Sequence, residues 1–157
     1  MDFLSIKDVS HTYFSSATFT SALDDINLTV GEGEFISFLG PSGCGKSTLL
    51  SIIAGLIKPT AGSVLLEGKQ VDRKQNDIGY MLQQDYLFPW KTIEENILLG
   101  LKITGKLNPS SRETALALLG QMGLGKVDSK FPDQLSGGMR QRVALVRTLA
   151  SEPKLLM

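Results

Sequence analysis

The stretch Gly40-Pro41-Ser42-Gly43-Cys44-Gly45-Lys46-Ser47 decides the fold of this chain. It matches the pattern G-x-x-x-x-G-K-[ST], whose glycines let the backbone curl so that successive N–H groups point inward at phosphate oxygens. In such a loop Lys46 would reach the β- and γ-phosphates of a nucleotide, and the Ser47 hydroxyl would bind Mg²⁺. The stretch and the adjacent Thr48 therefore predict a nucleotide-binding loop.

Both flanks of the loop have the character that this pattern requires. Residues 35–39 form a short apolar run bounded by glycines, which predicts a strand buried on both faces. After the loop, Leu49, Ile53 and Leu56 recur at i, i+4 and i+7, which predicts a helix. The alternative is a glycine-rich connection without a ligand, and the strand–loop–helix order disfavours it. Cys44 falls at a variable position of the loop and is interpreted as a solvated small residue.

The rest of the chain predicts an α/β protein with a β-rich beginning. Residues 1–30 are interpreted as strands, because apolar and polar residues alternate towards their end. Further strands are predicted at 64–68 and 78–82, helices at 46–56, 93–101, 111–122 and 138–151, and a last apolar strand from 154. We therefore predict a P-loop core with an N-terminal antiparallel β layer and a helical insert.

The composition of the chain argues against several classes of function. Lys and Arg number 16 and Asp and Glu also number 16, so no global field draws the chain towards nucleic acid or anionic lipid. Cys44 is the only cysteine, which excludes an internal disulfide. The N-terminus lacks the features of a secretory signal, and no apolar run approaches the ~18 residues of a spanning helix. We expect a cytoplasmic protein that binds no nucleic acid and reaches a membrane only through a partner.

A second glycine motif, Leu135-Ser136-Gly137-Gly138-Met139-Arg140-Gln141-Arg142, precedes a helix. Taken alone, Ser-Gly-Gly before a helix is a capping signal, since the Ser hydroxyl satisfies a free backbone N–H. Together with the phosphate loop, however, this motif resembles the signature of the ABC ATPases. The resemblance implies two nucleotide-binding domains paired head to tail, in which the signature of one subunit binds the γ-phosphate held by the other. The signature residues carried over are Leu135, Ser136, Gly137, Gly138 and Gln141.

The same resemblance assigns two further residues. Tyr13 looks like the aromatic platform that stacks on adenine, and the alternative is an ordinary tyrosine at a sheet edge. Gln83 looks like the family's Gln-loop residue, which touches Mg²⁺ and the attacking water, with Gln84 as the adjacent competitor. The following Leu87-Phe88-Pro89-Trp90 is similar to importers of the nitrate, sulfonate and taurine group. An apolar loop packed on the helical insert is the alternative.

The resemblance also implies residues that this sequence does not contain. After an apolar strand such as 154–157 the family has the Walker B Asp, then a catalytic Glu, and later a His. The one histidine, His11, precedes the phosphate loop and cannot take that role. We therefore expect a C-terminally truncated chain, assign no general base, and leave open whether the 157 residues hydrolyse ATP. The expected divisions are 1–83 (β layer and P-loop core), 84–151 (helical subdomain) and 152–157 (start of the Walker B strand).

Three functions remain at this stage. The first is the ATP-binding subunit of an ABC importer, which binds MgATP and, once complete and dimerised, hydrolyses it to drive solute uptake through a membrane permease on the inner face of the cell membrane. The second is a short nucleotide-binding or pairing subunit without hydrolysis. The third is an ABC ATPase of DNA maintenance, which the balanced charge and the short separation of the two motifs disfavour.

Overall fold

A computed structural model describes residues 2–15, 18–72 and 77–157. The chain forms two compact units, Met1–Gln75 and Asn76–Met157. The first unit contains the phosphate loop, and the second contains the helices and the signature motif. The finer division at residues 83/84 and 151/152 stays a prediction.

The first unit is built on an antiparallel sheet with the strand order β2-β1-β3-β4. Its strands are β1 (Leu4–Phe14), β2 (Phe19–Val30), β3 (Ala61–Leu66) and β4 (Lys69–Gln70). Leu4 and Ile6 are buried and pair with the buried Leu66 and Val64, so these apolar residues lie on one face of the sheet. The predicted β layer is confirmed. Strand β3 ends earlier than the predicted 64–68, because Glu67 and Gly68 turn with positive φ angles of 50° and 75°.

The predicted buried strand at residues 35–39 is wrong. The described residues of the first unit pair into ladders that do not include this run. Phe35 and Leu39 expose 94% and 91% of their surface. A strand buried on both faces needs neighbouring strands at both edges, and those neighbours come from distant parts of a chain. The apolar pattern of residues 35–39 indicates a preference for burial, but it does not indicate which strands would pair with this run.

Helix α1 (Lys46–Ile53) follows the loop and is shorter than the predicted 46–56. Ala54 is its C-cap, and Gly55 then takes the left-handed conformation at φ 70°, which ends the helix. Leu49, Ile52 and Ile53 form its buried face. The helix therefore lies with its first turn beside the glycine-rich loop and its apolar stripe in the core of the unit.

The second unit is mainly helical, as predicted. It contains β5 (Ile78–Gly79), α2 (Ile93–Ile103), α3 (Pro109–Gln121), a 3₁₀ turn (Pro132–Gln134), α4 (Gly137–Leu149) and β6 (Leu155–Leu156). Capping boxes start α2 at Thr92 and α3 at Asn108. Ile93, Ile97 and Val143 are fully buried in one core with their helical neighbours.

Two short parallel strands complete this unit. Ile78 pairs with Leu155 and Gly79 pairs with Leu156. The Met157 N–H donates to the Gly79 carbonyl at 2.8 Å. Strand β5 is shorter than the predicted 78–82. Among the helices in the described ranges, none is long and apolar enough to cross a membrane.

Candidate nucleotide-binding site

The glycine-rich loop adopts a backbone that other residues would resist. Gly43 and Gly45 have φ angles of 83° and 92°, in the left-handed region that favours glycine. A Cβ atom at Gly45 would lie 2.4 Å from the Ala22 carbonyl oxygen of β2, so both conformation and space require glycine there. Gly45 is also the N-cap of α1. The first N–H groups of a helix have no intrahelical partner, and the helix dipole places partial positive charge on them. The loop therefore ends at a backbone position suited to an anion.

Lys46 folds back over this loop. Its Nζ donates to the carbonyl oxygens of Gly40 at 2.8 Å and Pro41 at 2.7 Å, and it lies 3.3 Å from Cys44 Sγ. These contacts fix the ammonium group above the loop, where it would meet a phosphate chain. Neutral carbonyls are weaker partners for a cation than phosphate oxygens, so an incoming phosphate would compete well for Nζ.

The remaining predicted loop residues are accessible. Pro41, Ser42, Gly43, Cys44 and Ser47 are all exposed. Ser47 occupies the first turn of α1, and its hydroxyl is a hard oxygen ligand of the kind that Mg²⁺ accepts together with nucleotide phosphates. The residues present therefore fit a magnesium nucleotide, in which Ser47 and the phosphates would hold the cation.

Tyr13 is tied to the same unit and the same helix. Its hydroxyl shares a 3.2 Å hydrogen bond with Thr48 Oγ1 on α1, and its ring meets His11 edge-on at 4.6 Å. Tyr13 remains 44% exposed. Tyr13 pairs with Thr20 of β2, whereas the pairing of β1 with β3 ends at Ser10, so the alternative of an ordinary tyrosine at a sheet edge stays open. His11 itself is buried.

The signature motif starts α4 as its spacing predicted. Ser136 is the N-cap, and its Oγ accepts a hydrogen bond from the Met139 N–H at 3.3 Å. Leu135 is buried in the core, whereas Ser136, Gly137, Gly138 and Gln141 are exposed. The motif is thus held in the core by Leu135, and its other residues are accessible to solvent.

The two signature glycines are not required by the chain's own packing. A Cβ at Gly138 would meet no atom within 4 Å, and one at Gly137 would come no nearer than 3.9 Å to Arg140. Neither has a positive φ. Glycine at a helical position costs roughly 1 kcal/mol relative to alanine. Their presence is explained if a group from outside approaches this backbone closely.

Gln83 lies beside the signature helix. Gln83, Gln84, Asp85 and Tyr86 line an open cleft of about 410 Å³ together with Gly137, Arg140 and Gln141. Both glutamines are exposed. The structure therefore brings the predicted Gln-loop residue and the signature turn to one cleft within the second unit, while Tyr13 and Lys46 belong to the first unit.

Sequence reasoning missed the residues that hold this loop. Arg140 Nε donates to Asp85 Oδ2 at 3.0 Å, and Arg147 donates to the main-chain oxygens of Asp85 and Tyr86 at 2.7 Å and 2.9 Å. Burial lowers the pKa of Arg147, and the Asp85 carboxylate opposes that shift. The one available signal was the spacing of Arg140 and Arg147, which places them two turns apart on one helix face.

Asn96 was also missed. It is 0% exposed, and its Oδ1 accepts from the Phe88 N–H at 2.8 Å. Its Nδ2 lies 3.1 Å from the Phe88 and Lys91 oxygens and 2.9 Å from the Thr92 oxygen. The signal was a polar residue inside the apolar stripe of α2, which is rarely tolerated without partners.

A glycine-rich loop that leads into a helix and holds a lysine over its own carbonyls places this chain in the class of P-loop nucleotide-binding proteins. The family model described as ABC transporter matches residues 23–157. The chain belongs to this family, and the resemblance predicted from the two motifs is confirmed.

Two curated relatives and one solved structure are similar to the chain. YtlC of Bacillus subtilis (strain 168), named an uncharacterized ABC transporter ATP-binding protein, is 60% identical over 100% of this chain and 60% of the relative. The taurine import ATP-binding protein TauB of Shigella dysenteriae is 40% identical over 95% of this chain and 58% of the relative. The chain spans about 60% of the length of such relatives.

The solved structure supports the fold class. A dimeric ATP-binding cassette in a post-hydrolysis state, bound to ADP and Pi, superposes with a TM-score of 0.86 at 37% identity. The match covers 98% of this chain and 72% of that chain. The predicted α/β P-loop fold class is therefore confirmed, although the strand expected at 35–39 is not formed.

Proposed function

We propose that this chain is the nucleotide-binding part of an ABC importer subunit that binds MgATP at residues 40–48. The observation that carries the proposal is the loop in which Lys46 Nζ is held 2.8 Å and 2.7 Å from the Gly40 and Pro41 oxygens. Backbone N–H groups at the start of α1 would bind phosphate oxygens, and Lys46 would move from the loop carbonyls to the β- and γ-phosphates. Bound Mg²⁺ would neutralise phosphate charge.

Tyr13 supports the base end of this site. Its hydroxyl bond to Thr48 ties the ring to the first turns of α1, and nearly half of its surface is open to a stacking partner. Stacking of a planar base on an exposed aromatic ring contributes about 1 kcal/mol of binding free energy in addition to the contribution of the buried area. We propose that Tyr13 stacks on adenine.

The signature turn is proposed to serve a second copy of the domain. Ser136, Gly137 and Gly138 are exposed at a helix start, and both glycines have room that the chain itself does not use. An anion on another subunit would find the same kind of site as in the phosphate loop. The chain is similar to a cassette that is dimeric, which supports the pairing of two domains, and we propose that they pair head to tail.

The proposed cellular role is solute import. We propose that Gln83 contacts Mg²⁺ and the attacking water at the nucleotide site of its own subunit. The likeness to a taurine import ATP-binding protein supports an importer. In this role the subunit lies at the cytoplasmic face of the membrane and contacts a permease, and no nucleic acid takes part. The whole subunit would hydrolyse ATP through residues outside these 157.

Substitution of Lys46 by alanine tests the nucleotide site. Lys46→Ala should lower the affinity for ATP by at least ~10-fold, because a charge-assisted contact to phosphate contributes roughly 1.5–3 kcal/mol. Lys58→Ala removes the same charge from an exposed position beyond the other end of α1 and should leave the affinity unchanged. Isothermal titration of the full-length polypeptide measures both. Equal affinity in Lys46→Ala and wild type would refute the proposal.

A further inference from the structure

His11 and Tyr13 lie on the same face of β1, because residues two apart in a strand point to the same side of the sheet. Their rings are nearly perpendicular, with an angle of 86° between the planes, and the ring centroids are 4.6 Å apart. His11 is 9% exposed, whereas Tyr13 is 44% exposed. Tyr13 therefore has a buried aromatic neighbour and keeps much of its own surface accessible.

The hydroxyl end of Tyr13 has a separate contact. Its Oη shares a 3.2 Å hydrogen bond with Thr48 Oγ1. This bond fixes the hydroxyl, but the ring can still rotate about the axis from Cβ to Oη, because the oxygen lies on that axis and the torsion has a broad minimum. The perpendicular contact with His11 opposes this rotation, since aromatic pairs prefer the edge-to-face arrangement. His11 therefore sets the plane of the Tyr13 ring.

Thr60 holds this part of β1 at the point where the ladder to β3 ends. The last pair of that ladder is Ser10 with Ala61. The Thr60 N–H donates to the Ser10 carbonyl oxygen at 2.9 Å, and Thr60 Oγ1 accepts from the Thr12 N–H at 3.1 Å. The same Oγ1 lies 3.5 Å from His11 Nδ1. The main chain on both sides of His11 is thus fixed, and so is one edge of its ring.

The neighbouring strand connects this place to the phosphate loop. Between the partners of His11 and Thr12, the register of β1 with β2 skips Ala22. The Ala22 carbonyl oxygen packs so closely on the loop that a Cβ at Gly45 would come within 2.4 Å of it. Irregularities of this kind redirect a strand locally and are frequent beside functional sites. The hairpin around His11 and the end of the phosphate loop are therefore packed against each other.

We propose that His11 is a positioning residue that fixes the plane of the Tyr13 ring for stacking on the adenine of a bound nucleotide. The inference rests on the proposed function, in which Tyr13 is the adenine platform. Stacking requires the base and the ring to be parallel, so a ring that is held before binding loses less freedom when the base arrives. His11 touches neither the base nor the phosphates, and it acts through Tyr13.

A double-mutant cycle in the full-length polypeptide tests this role. Its members are wild type, His11→Ala, Tyr13→Ala and the variant with both substitutions, and isothermal titration with MgATP measures each dissociation constant. We expect Tyr13→Ala to weaken binding about 5-fold, the size of one aromatic stacking contact, and His11→Ala to weaken it about 3-fold. In the Tyr13→Ala background, His11→Ala should change the affinity by less than about 1.5-fold, because the ring through which His11 acts is absent.

Two further variants separate positioning from a general loss of packing. His11→Phe should bind ATP within about 1.5-fold of wild type, since a phenyl ring can again stand perpendicular to Tyr13. Val9→Ala is the matched control: it also removes a buried side chain from β1, but about 13 Å along the strand from Tyr13, and it should leave ATP affinity unchanged. If His11→Ala does not fold, His11→Leu takes its place, because leucine fills the buried volume without an aromatic ring.

Wild-type affinity in His11→Ala would overturn the inference, and so would an equal loss in both backgrounds or a loss in His11→Phe as large as in the alanine or leucine variant. Failure of the proposed function gives a different result, because Lys46→Ala or Tyr13→Ala would then bind ATP as wild type does. A weakened Tyr13→Ala together with an unchanged His11→Ala would leave the proposed function standing and refute this inference alone.

Discussion

Replacing Asn96 by alanine should destabilise the second unit more than any exposed cap substitution. The variant removes the acceptor of the Phe88 N–H and the side-chain donor to the Lys91 oxygen. The Phe88 oxygen keeps the Lys91 N–H at 3.1 Å, and the Thr92 oxygen keeps the Asn96 N–H at 2.9 Å. Two main-chain groups are therefore orphaned.

The magnitude follows from that count. An unsatisfied group costs about 1–3 kcal/mol when buried, and these two are partly buried, so we take the lower end for each. A small cavity at a fully buried site adds to this. The expected loss is about 2–4 kcal/mol of unfolding free energy. Asn108→Ala, which removes an exposed N-cap from α3, should cost only about 1 kcal/mol.

Urea unfolding of the full-length polypeptide, followed by circular dichroism, measures both variants under the same conditions. Asn96→Asp is a further isosteric check, because at neutral pH its carboxylate would face the Phe88, Lys91 and Thr92 oxygens without a donor. A loss in Asn96→Ala no larger than in Asn108→Ala, or a wild-type midpoint for Asn96→Asp, would refute the reasoning.

Three further predictions follow from the loop and the helix caps. Gly45→Ala should cost more than about 2 kcal/mol and abolish ATP binding, whereas Gly43→Ala, whose Cβ meets open space, should cost only about 1 kcal/mol; thermal melting and titration with ATP check the pair. The Thr92 N–H holds the pKa of Glu95 below its ordinary value of 4.5, so the stability that it adds is present above that value and is lost as pH falls through the lower folded-state pKa. Glu95→Gln should therefore flatten the acid limb of the stability curve, and an unchanged limb would count against the capping box. Ser136→Ala should weaken ATP-dependent dimerisation of the full-length subunit about 10-fold with monomer affinity unchanged; equal losses in both would contradict head-to-tail pairing.

Local patterns predicted the helices and the glycine-rich turn before α1, while the binding of phosphate by that turn stays a prediction. Periodic apolar residues located α2, α3 and α4, and Ser136 at the N-cap of α4 agrees with its residue type. The loop could be predicted because it needs glycine at positions of left-handed backbone conformation, and this requirement is local. Gly45, with a φ of 92°, is one such position.

The features that the sequence did not predict correctly depend on contacts between residues far apart in the chain. The run 35–39 has a buried pattern, but strand partners cannot be read from a local window. Asp85 and Arg140 are 55 residues apart, and nothing in either segment alone indicates the contact. Asn96 is a polar residue in an apolar stripe, but its partners are main-chain groups of residues 88–92, and the local pattern does not give the course of that loop.

The most direct test of the central claim is a crystal structure of the full-length polypeptide with Mg²⁺ and a non-hydrolysable ATP analogue. We predict that the β- and γ-phosphates lie in the loop of residues 40–47, with Lys46 Nζ transferred from the Gly40 and Pro41 oxygens to phosphate oxygens and Ser47 Oγ on the cation. Phosphates bound elsewhere, with Lys46 still on its loop carbonyls, would contradict the account.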